Sequence, residues 1–256
     1  MISEYNSDRF KKTLIDVGLS KDKNEFISSS VKTIGKYVDL AKPDLLNMIR
    51  GTIFDIIGKN GFIAVPTFNF KFAKGDDFDV ENTQSDGMGA FSEYVRKYDG
   101  SHRTSHPMHS ISILGKNSKN IAELEGNTEF SENSAFDYLL NVNCKILFLG
   151  NSFTETFFHV AEEKANVPYR FWKKFSGNLI KNSSKKKIEI RYYARKINEN
   201  PEPIIDVPKV FNFLDDLNIF TKTNDKKVNL MICSSKLYVD SCLKKLKENP
   251  IYFLKT

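Results

Sequence analysis

The chain is poor in cysteine. Its three, Cys144, Cys233 and Cys242, are odd in number and widely spaced, and none stands in a C-x-x-C pair or beside a histidine in a zinc pattern. That excludes a disulfide framework and a structural zinc knot, and it reads as the reduced thiols of a cytoplasmic protein. Long apolar runs are missing too. No stretch approaches the ~20 residues that a membrane span needs. The start, MISEYNSDRFKK, is polar throughout and has no apolar segment of the kind that marks a secretory signal. Internal repeats and long low-complexity tracts are also absent.

What is present can build a core. Of 256 residues, 40% are hydrophobic, with 21 Phe and 10 Tyr, enough for one large aromatic-rich domain spanning 1–256. The net charge of +6 is unevenly spread. Between Lys164 and Lys196 lie eleven Lys or Arg (164, 170, 173, 174, 181, 185, 186, 187, 191, 195 and 196) against one acid, Glu189, a local excess of +10. Any single lysine there is most simply a solvated one, but a block this one-sided concentrates anions, and phosphates are the usual beneficiaries.

Periodicity gives the fold class. A helix is expected from about Asp8 to Val17, capped by Ser7 and ended by Gly18, and a short strand over Glu25–Ser28 runs into serines. Pro43 suits the first turn of a second helix, in which Leu45, Ile49, Ile53 and Ile56 recur at three- and four-residue steps. Gly58 and Gly61 stop it, and Phe62–Val65 reads as a buried strand before Pro66. Strand, helix and strand within about forty residues mark an α/β fold. Further on, a loop-rich segment over 74–89 precedes a helical turn at Phe91–Arg96. Strands follow at Ser110–Leu114, Lys145–Leu149 and Lys186–Tyr193, with an exposed turn at Asn182–Lys187. Helices are expected over Phe153–Asn166 and Val239–Lys247. The expected architecture is a single α/β domain with a central mixed sheet flanked by helices, and with C-terminal strands and a small helical region.

Three constellations could carry chemistry. The strand ending at Gly150 leads into Asn151–Glu162, where Ser152 and Glu155 have capping-box spacing. A helix that begins past the carboxyl end of a strand sits where α/β proteins place ligands. His159 shares one face of that helix with Glu155 and Glu162. A carboxylate beside a histidine can fix its tautomer and stabilise the imidazolium formed on proton uptake. On spacing alone, an exposed His–Glu pair is the commoner meaning. The second constellation is Arg103–Ser110, where two histidines, an arginine and three hydroxyls precede a strand. With His102 it holds three of the chain's four histidines, yet it has no metal-ligand spacing. The third is Ser28-Ser29-Ser30, a strand end whose hydroxyls and backbone N–H groups suit a phosphate or carbonyl.

In order and spacing these pieces resemble the aminoglycoside 3-N-acetyltransferase family, over roughly Leu14 to Arg170. The serines near Ser29 resemble its H-S-S segment, and Gly61–Phe68 its G-T-L-V-M-P-T-F stretch. Met88-Gly89 with Glu93 and Arg96 resembles M-G-x-x-x-E-x-x-R. Arg103–Ser110 resembles R-S-x-H-P-x-x-S, Phe130–Ser134 resembles F-G-E-x-S, and Thr156–Glu162 resembles T-x-L-H-x-A-E. The departures are Ser28 where the family has His, Thr104 for Ser, Ser131 for Gly, Ala135 for Pro, and Glu155 for Asn.

The resemblance implies acetyl-CoA as co-substrate, no metal, and direct transfer of the acyl group to an amine. His159 would be the general base and Glu162 its orienting carboxylate. Ser29, Ser30, Arg103, Thr104, Ser105 and His106 would meet the coenzyme, and Glu132, Ser134 and Glu155 would line the acceptor cleft. Aminoglycosides are polycations, and the acidic stretch Asp76, Asp77, Asp79 and Glu81 could receive one. The basic block points instead to anions: coenzyme A could account for all of it, or the acceptor could be an amino sugar linked to a nucleotide, of the kind used in surface polysaccharide synthesis, and an amino-sugar acceptor is the expectation. A true aminoglycoside resistance enzyme is the first alternative. A non-catalytic coenzyme-binding relative is another. A nucleic-acid binder built on the basic block with Tyr169, Phe171, Trp172, Tyr192 and Tyr193 is the last, and no recognition motif accompanies it. Pairing as a homodimer stays open.

Overall fold

The computed structural model describes residues 4–38, 43–152 and 156–255. In chain order its strands are β1 (Glu4–Tyr5), β2 (Asn24–Ser29), β3 (Lys36–Tyr37), β4 (Phe62–Pro66), β5 (Phe78–Asp79), β6 (His102–Arg103), β7 (Ile111–Gly115), β8 (Lys145–Leu149), β9 (Arg170–Lys181), β10 (Ser184–Arg195), β11 (Thr221–Lys222) and β12 (Leu230–Ser234). The helices are α1 (Ser7–Asp16), α2 (Pro43–Ile57), α3 (Ala90–Arg96), α4 (Ser118–Ala122), α5 (Ala135–Asn141), α6 (Thr156–Ala165), α7 (Val207–Asp216) and α8 (Ser235–Glu248).

Seven strands form one mixed sheet in the order β11-β12-β8-β2-β4-β7-β6. The centre, β8-β2-β4, is parallel, and β12 and β7 flank it antiparallel. Successive side chains of the central strands point to opposite faces, and the sequence alternates accordingly. Phe26, Ala64, Ile146 and Phe148 join one core with residues of α5, α6 and α8. Ile27, Ile63, Val65, Leu147 and Leu149 join a second core with residues of α1, α2 and α3. The expected α/β architecture with a mixed sheet between helical layers is therefore the one formed.

The parallel centre brings the ends of β2 and β8 together. Gly150 makes their approach possible. Its φ is +72°, and a methyl group there would lie 2.5 Å from the Ser30 carbonyl oxygen and 2.5 Å from Thr33 Oγ1. Only glycine tolerates both the backbone and the contact.

The basic block folds as a long antiparallel hairpin, β9–β10, with β5 alongside β9. Asn182 and Ser183 turn it, both with positive φ (50° and 60°), as a two-residue primed turn requires. The exposed turn expected there is present. The strand expected over Lys186–Tyr193 is longer, and its partner β9 had no distinct alternating pattern to announce it. The hairpin docks through a small core of Phe72, Phe78, Val80, Met108 and Leu179. Phe72 seats its ring against Gly177, where a Cβ would stand 2.6 Å from ring carbon Cε2.

Local details differ from expectation. Asn6, not Ser7, caps α1, its side chain accepting from the Arg9 amide. The last helix begins at Ser235, four residues before the expected start, because Ser234 Oγ caps it by accepting from the Leu237 amide. The capping box expected at Ser152 and Glu155 lies partly outside the described residues.

Candidate active site

His159 lies on α6, whose opposite face is packed in the core through Phe157, Phe158, Val160 and Ala161. The three-residue step along the helix sets Glu162 beneath it. His159 Nδ1 meets Glu162 Oε2 at 2.5 Å, and Glu162 is fully buried while the His159 side chain is 21% exposed. Two residues just past α6 complete the arrangement. Tyr169 donates its hydroxyl to Glu162 Oε1 at 2.8 Å, and Arg170 Nη2 meets Glu162 Oε2 at 2.8 Å. Burial disfavours the Glu162 carboxylate, but the adjoining His159 and Arg170 outweigh it and hold the group below its ordinary value.

A carboxylate that stays ionised only accepts hydrogen bonds, so Nδ1 must carry the proton of His159. In the neutral ring Nε2 is then the nitrogen with the lone pair, on the ring edge turned away from Glu162. That histidine lines a cleft of about 810 Å³, walled by the base of the β9–β10 hairpin and by the segment that follows it, including Phe171, Lys173, Tyr192, Arg195 and Ile204. A cleft of this size suits a ligand of several rings. The arrangement is an imidazole at a cleft with a buried carboxylate behind it and a guanidinium on that carboxylate.

A second histidine–carboxylate couple backs the first. His109 stacks near His159, with ring centroids 6.4 Å apart, and its Nδ1 meets Glu129 Oε1 at 2.9 Å. Rings of Phe68, Phe130 and Tyr192 surround it. Burial pushes His109 below the ordinary imidazole range and pushes His106 down to about 4. His106 accepts the His109 amide at Nδ1 (3.0 Å), so the neutral ring carries its proton on Nε2. Beside them Thr128 Oγ1 donates to Glu163 Oε1 at 2.6 Å, and burial raises the Glu163 carboxyl to about 7.

The residues expected along the coenzyme divide into two groups. Ser29 Oγ is buried at the carboxyl end of β2 with no hydrogen-bond partner among the described residues, and the Gly89 backbone passes so close that a Cβ there would lie 3.0 Å from the Ser29 carbonyl. Ser30 follows, its amide donating to the Leu149 carbonyl at 2.8 Å. Ser28, where the family has His, pairs its hydroxyl with that of Ser152 at 2.5 Å. An orphaned hydroxyl beside a close glycine at a strand mouth is the kind of place a coenzyme amide or phosphate could occupy.

The Arg103 loop behaves differently. Arg103 is buried, and its guanidinium donates to Thr67 and Ser110 hydroxyls and to the Thr67 and Thr83 carbonyls, while it stacks on Phe78. Thr104 Oγ1 accepts the Ile111 amide. Both side chains are thus engaged by protein groups, yet each also borders an opening: Thr104 the smaller cavity shared with Ser105 and His106, and Arg103 a separate cleft with Lys97, Lys119 and Lys181. Ser105 accepts from Lys181 at 3.1 Å. Ser105, His106 and Ser134 line a smaller cavity of about 190 Å³ on the Glu129 side of His109.

The acceptor residues fare less well. Ser134 is buried as the cap of α5, its hydroxyl accepting from the Asp137 amide, and Glu132 is exposed and lines neither opening. Glu155 lies outside the described residues. The acidic stretch is not at the cleft either. Asp77 meets Lys185 at 2.6 Å, and Glu81 accepts the Asn182 amide, which fastens the hairpin tip. Phe175, the cleft residue nearest that tip, is three residues of β9 from Asn178, whose side chain donates to Asp77 at 2.7 Å, so these acids begin roughly 10 Å beyond the cleft. The aromatic residues suggested for nucleic acid are mostly committed elsewhere. Tyr169 is bound to Glu162, and Tyr193 is buried with Trp172 stacked on it at 4.8 Å.

Glu129 is a residue the sequence did not single out, and Tyr169, Arg170 and His109, though noted there, were not assigned to the surroundings of His159. Arg170 was one cation among eleven. Only its place directly after α6, where the chain must turn back past His159, sets it apart.

The family model described as aminoglycoside 3-N-acetyltransferase matches residues 26–247. Among solved structures, AAC-IIIb in its binary complex with CoASH superposes with a TM-score of 0.81 at 15% identity, covering 96% of this chain and 97% of that one. The aminoglycoside acetyltransferase AAC(3)-Xa gives 0.81 at 16% identity over 96% and 93% of the two chains. The YokD protein from Bacillus subtilis gives 0.76 at 18% over 95% and 94%. At such identities the superpositions speak for the fold, and the family match speaks for descent. Among the described residues no helix is long and apolar enough to cross a membrane, and no cluster of His, Cys, Asp and Glu could hold a metal. The chain belongs to the aminoglycoside 3-N-acetyltransferase family.

Proposed function

We propose that this chain, working over 1–256 as one unit in the cytoplasm, moves the acetyl group of acetyl-CoA to the amino group of an amino sugar, with His159 as the base. The carrying observation is the His159–Glu162 pair at 2.5 Å, open to a cleft on one side and buried on the other. An ammonium cannot attack a thioester, so the amine must give up a proton as its nitrogen bonds to the carbonyl carbon. His159 Nε2 takes that proton, and Glu162 and the helix frame hold the imidazolium in place. As the C–S bond breaks, the thiolate leaves and recovers a proton from the imidazolium, so acid and base are the same ring. Base catalysis of this kind contributes ~100- to 10,000-fold. Ser29, Ser30 and the strand mouth around them are the part of this chain that best suits the coenzyme. The coenzyme complex seen for AAC-IIIb supports that co-substrate by kinship.

The test is thiol release from acetyl-CoA with a panel of amino sugars and aminoglycosides, wild type against His159→Ala at matched folded protein. Loss of at least ~100-fold in kcat with coenzyme binding retained is expected. A near-normal rate in His159→Ala would remove the base assignment. Aminoglycoside acetylation, the activity named for AAC(3)-Xa, is the second reading, and kinship favours it.

A further inference from the structure

The cleft in front of His159 carries the wrong charge for a polycation. Its lining includes Arg170, Lys173, Arg195 and Lys196 but, among the described residues, a single carboxylate, Glu199. That carboxylate already lies 3.4 Å from Lys196 Nζ. Arg170 is balanced by buried Glu162, and Arg195 by Glu202 at 2.8 Å. Lys173 has no carboxylate partner among the described residues and lies over the Phe175 ring. The field inside is positive, and the acids that could have received ammonium groups fasten the tip of the hairpin. The same cleft leaves apolar surface uncovered: Phe171 is 43% exposed, Ile197 61% and Ile204 37%.

From these observations, and resting on the acyl-transfer reading, we infer that the acceptor is an amine on a sugar that also carries a phosphoester, with Lys173 and Lys196 holding the phosphate at the cleft wall. A phosphate beside the amine supplies the anion that Lys173 lacks and adds to the one carboxylate near Lys196, whereas an aminoglycoside would add several like charges to a positive cleft. Phe171 and Ile204 give a planar or apolar appendage, such as a nucleoside, a dry surface to cover. Lys173 lies three residues along β9 from Arg170, the residue that meets Glu162, roughly 10 Å of extended strand. The shared chemistry is the phosphorylated amino sugar, and its two sources are a sugar phosphate and a nucleoside-diphosphate sugar.

The experiment compares glucosamine, glucosamine 1-phosphate, UDP-glucosamine and kanamycin as acceptors at low and high salt, in wild type and in Lys173→Glu. At least one phosphorylated acceptor is expected to exceed glucosamine and kanamycin in kcat/KM by ~10-fold at low salt, with the margin shrinking as salt screens the field. Lys173→Glu should raise the KM of that acceptor by ~10-fold and leave the KM of acetyl-CoA within ~2-fold. The arm that wins identifies the source. If UDP-glucosamine wins, Phe171→Ala should weaken it and spare glucosamine 1-phosphate. Kanamycin matching the phosphorylated sugars would overturn the inference. So would a Lys173→Glu effect on the acetyl-CoA KM instead of the acceptor's, because the cations would then belong to the coenzyme. If no amine releases thiol, the acyl-transfer reading fails separately. Calorimetric binding of the two phosphorylated sugars to wild type and Lys173→Glu still decides whether the cleft takes the phosphate.

Discussion

Arg170 and His159 lean on one oxygen: Glu162 Oε2 lies 2.8 Å from the guanidinium and 2.5 Å from the imidazole. The sharing has two consequences. The carboxylate stays ionised where burial alone would neutralise it, and the guanidinium depends on the same carboxylate for its own burial. The orientation of the His159 ring and local stability are therefore linked through one side chain.

Removing Glu162 should cost stability as well as activity. Glu162→Ala leaves Arg170, whose side chain is 8% exposed, without its counter-ion. Breaking a buried pair from one side costs about 3–5 kcal/mol. Urea unfolding should show such a loss, and adding Arg170→Met should recover part of it without restoring transfer. Unchanged stability in Glu162→Ala would mean that solvent reaches the guanidinium. The acid limit follows the same group. Its folded value is depressed, so its contribution is present above the unfolded value near 4.5 and disappears as pH falls through the folded one.

Arg103 should prove structural. With its guanidinium donors engaged by the Thr67, Ser110 and Thr83 groups, Arg103→Ala is expected to lose about 3 kcal/mol of stability, since each hydrogen bond to a charged group contributes about 1.5–3 kcal/mol. At a temperature where the variant is folded, the acetyl-CoA KM should stay near that of wild type. A normal melting temperature with a large rise in that KM would restore the coenzyme-contact role implied by family resemblance.

Glu25 offers a gain. It is fully buried in β2, and neither carboxyl oxygen has a hydrogen-bond partner among the described residues. Burial raises its value well above the ordinary one, and Lys145 and Lys23 offset this only in part. The folded state thus holds a proton that the unfolded chain gives up near 4.5. Stability from this source is full below that pH and is lost as pH rises toward the folded value. Glu25→Met should therefore exceed wild type by about 1–3 kcal/mol even near pH 4, the usual cost of a buried polar group without a partner, and by a margin that grows as pH rises toward neutrality. Chemical denaturation at several pH values measures it, and a pH-independent difference would contradict the assignment.

Gly150→Ala tests the strand mouth. The positive φ alone costs roughly 1–2 kcal/mol in any other residue, and the new methyl group would press on the Ser30 carbonyl. A loss of at least about 2 kcal/mol is expected. A raised acetyl-CoA KM should accompany it, because Ser29 and Ser30 would be displaced. An unaltered KM in the folded variant would remove those serines from the coenzyme site.

Local regularities were legible in the sequence. Short segments at Glu25–Ser28 and Lys145–Leu149 were legible as strands and the apolar run Phe62–Val65 as a buried one, and the recurrence of Leu45, Ile49, Ile53 and Ile56 announced α2. His159 and Glu162 were legible as a pair because a three-residue step on a helix fixes their proximity wherever the helix goes. The capping errors at Asn6 and Ser234 have a related cause. Neighbouring polar residues compete for the same amides, and only the entering chain direction selects one.

What the sequence determined by itself, then, was the class of fold, the helix that carries His159 and the short-range pair on it. Tertiary structure alone decided that Arg170 leaves the basic block to lie against Glu162, and that Glu129 crosses twenty residues of chain to hold His109. It also decided that Arg103 faces inward and that the acidic stretch fastens a hairpin tip beyond the cleft. The reason is physical. Period and spacing constrain residues within a turn or a strand, whereas the partner of a buried charge is set by which distant segments the packed sheet and the β9–β10 register bring within a few ångströms.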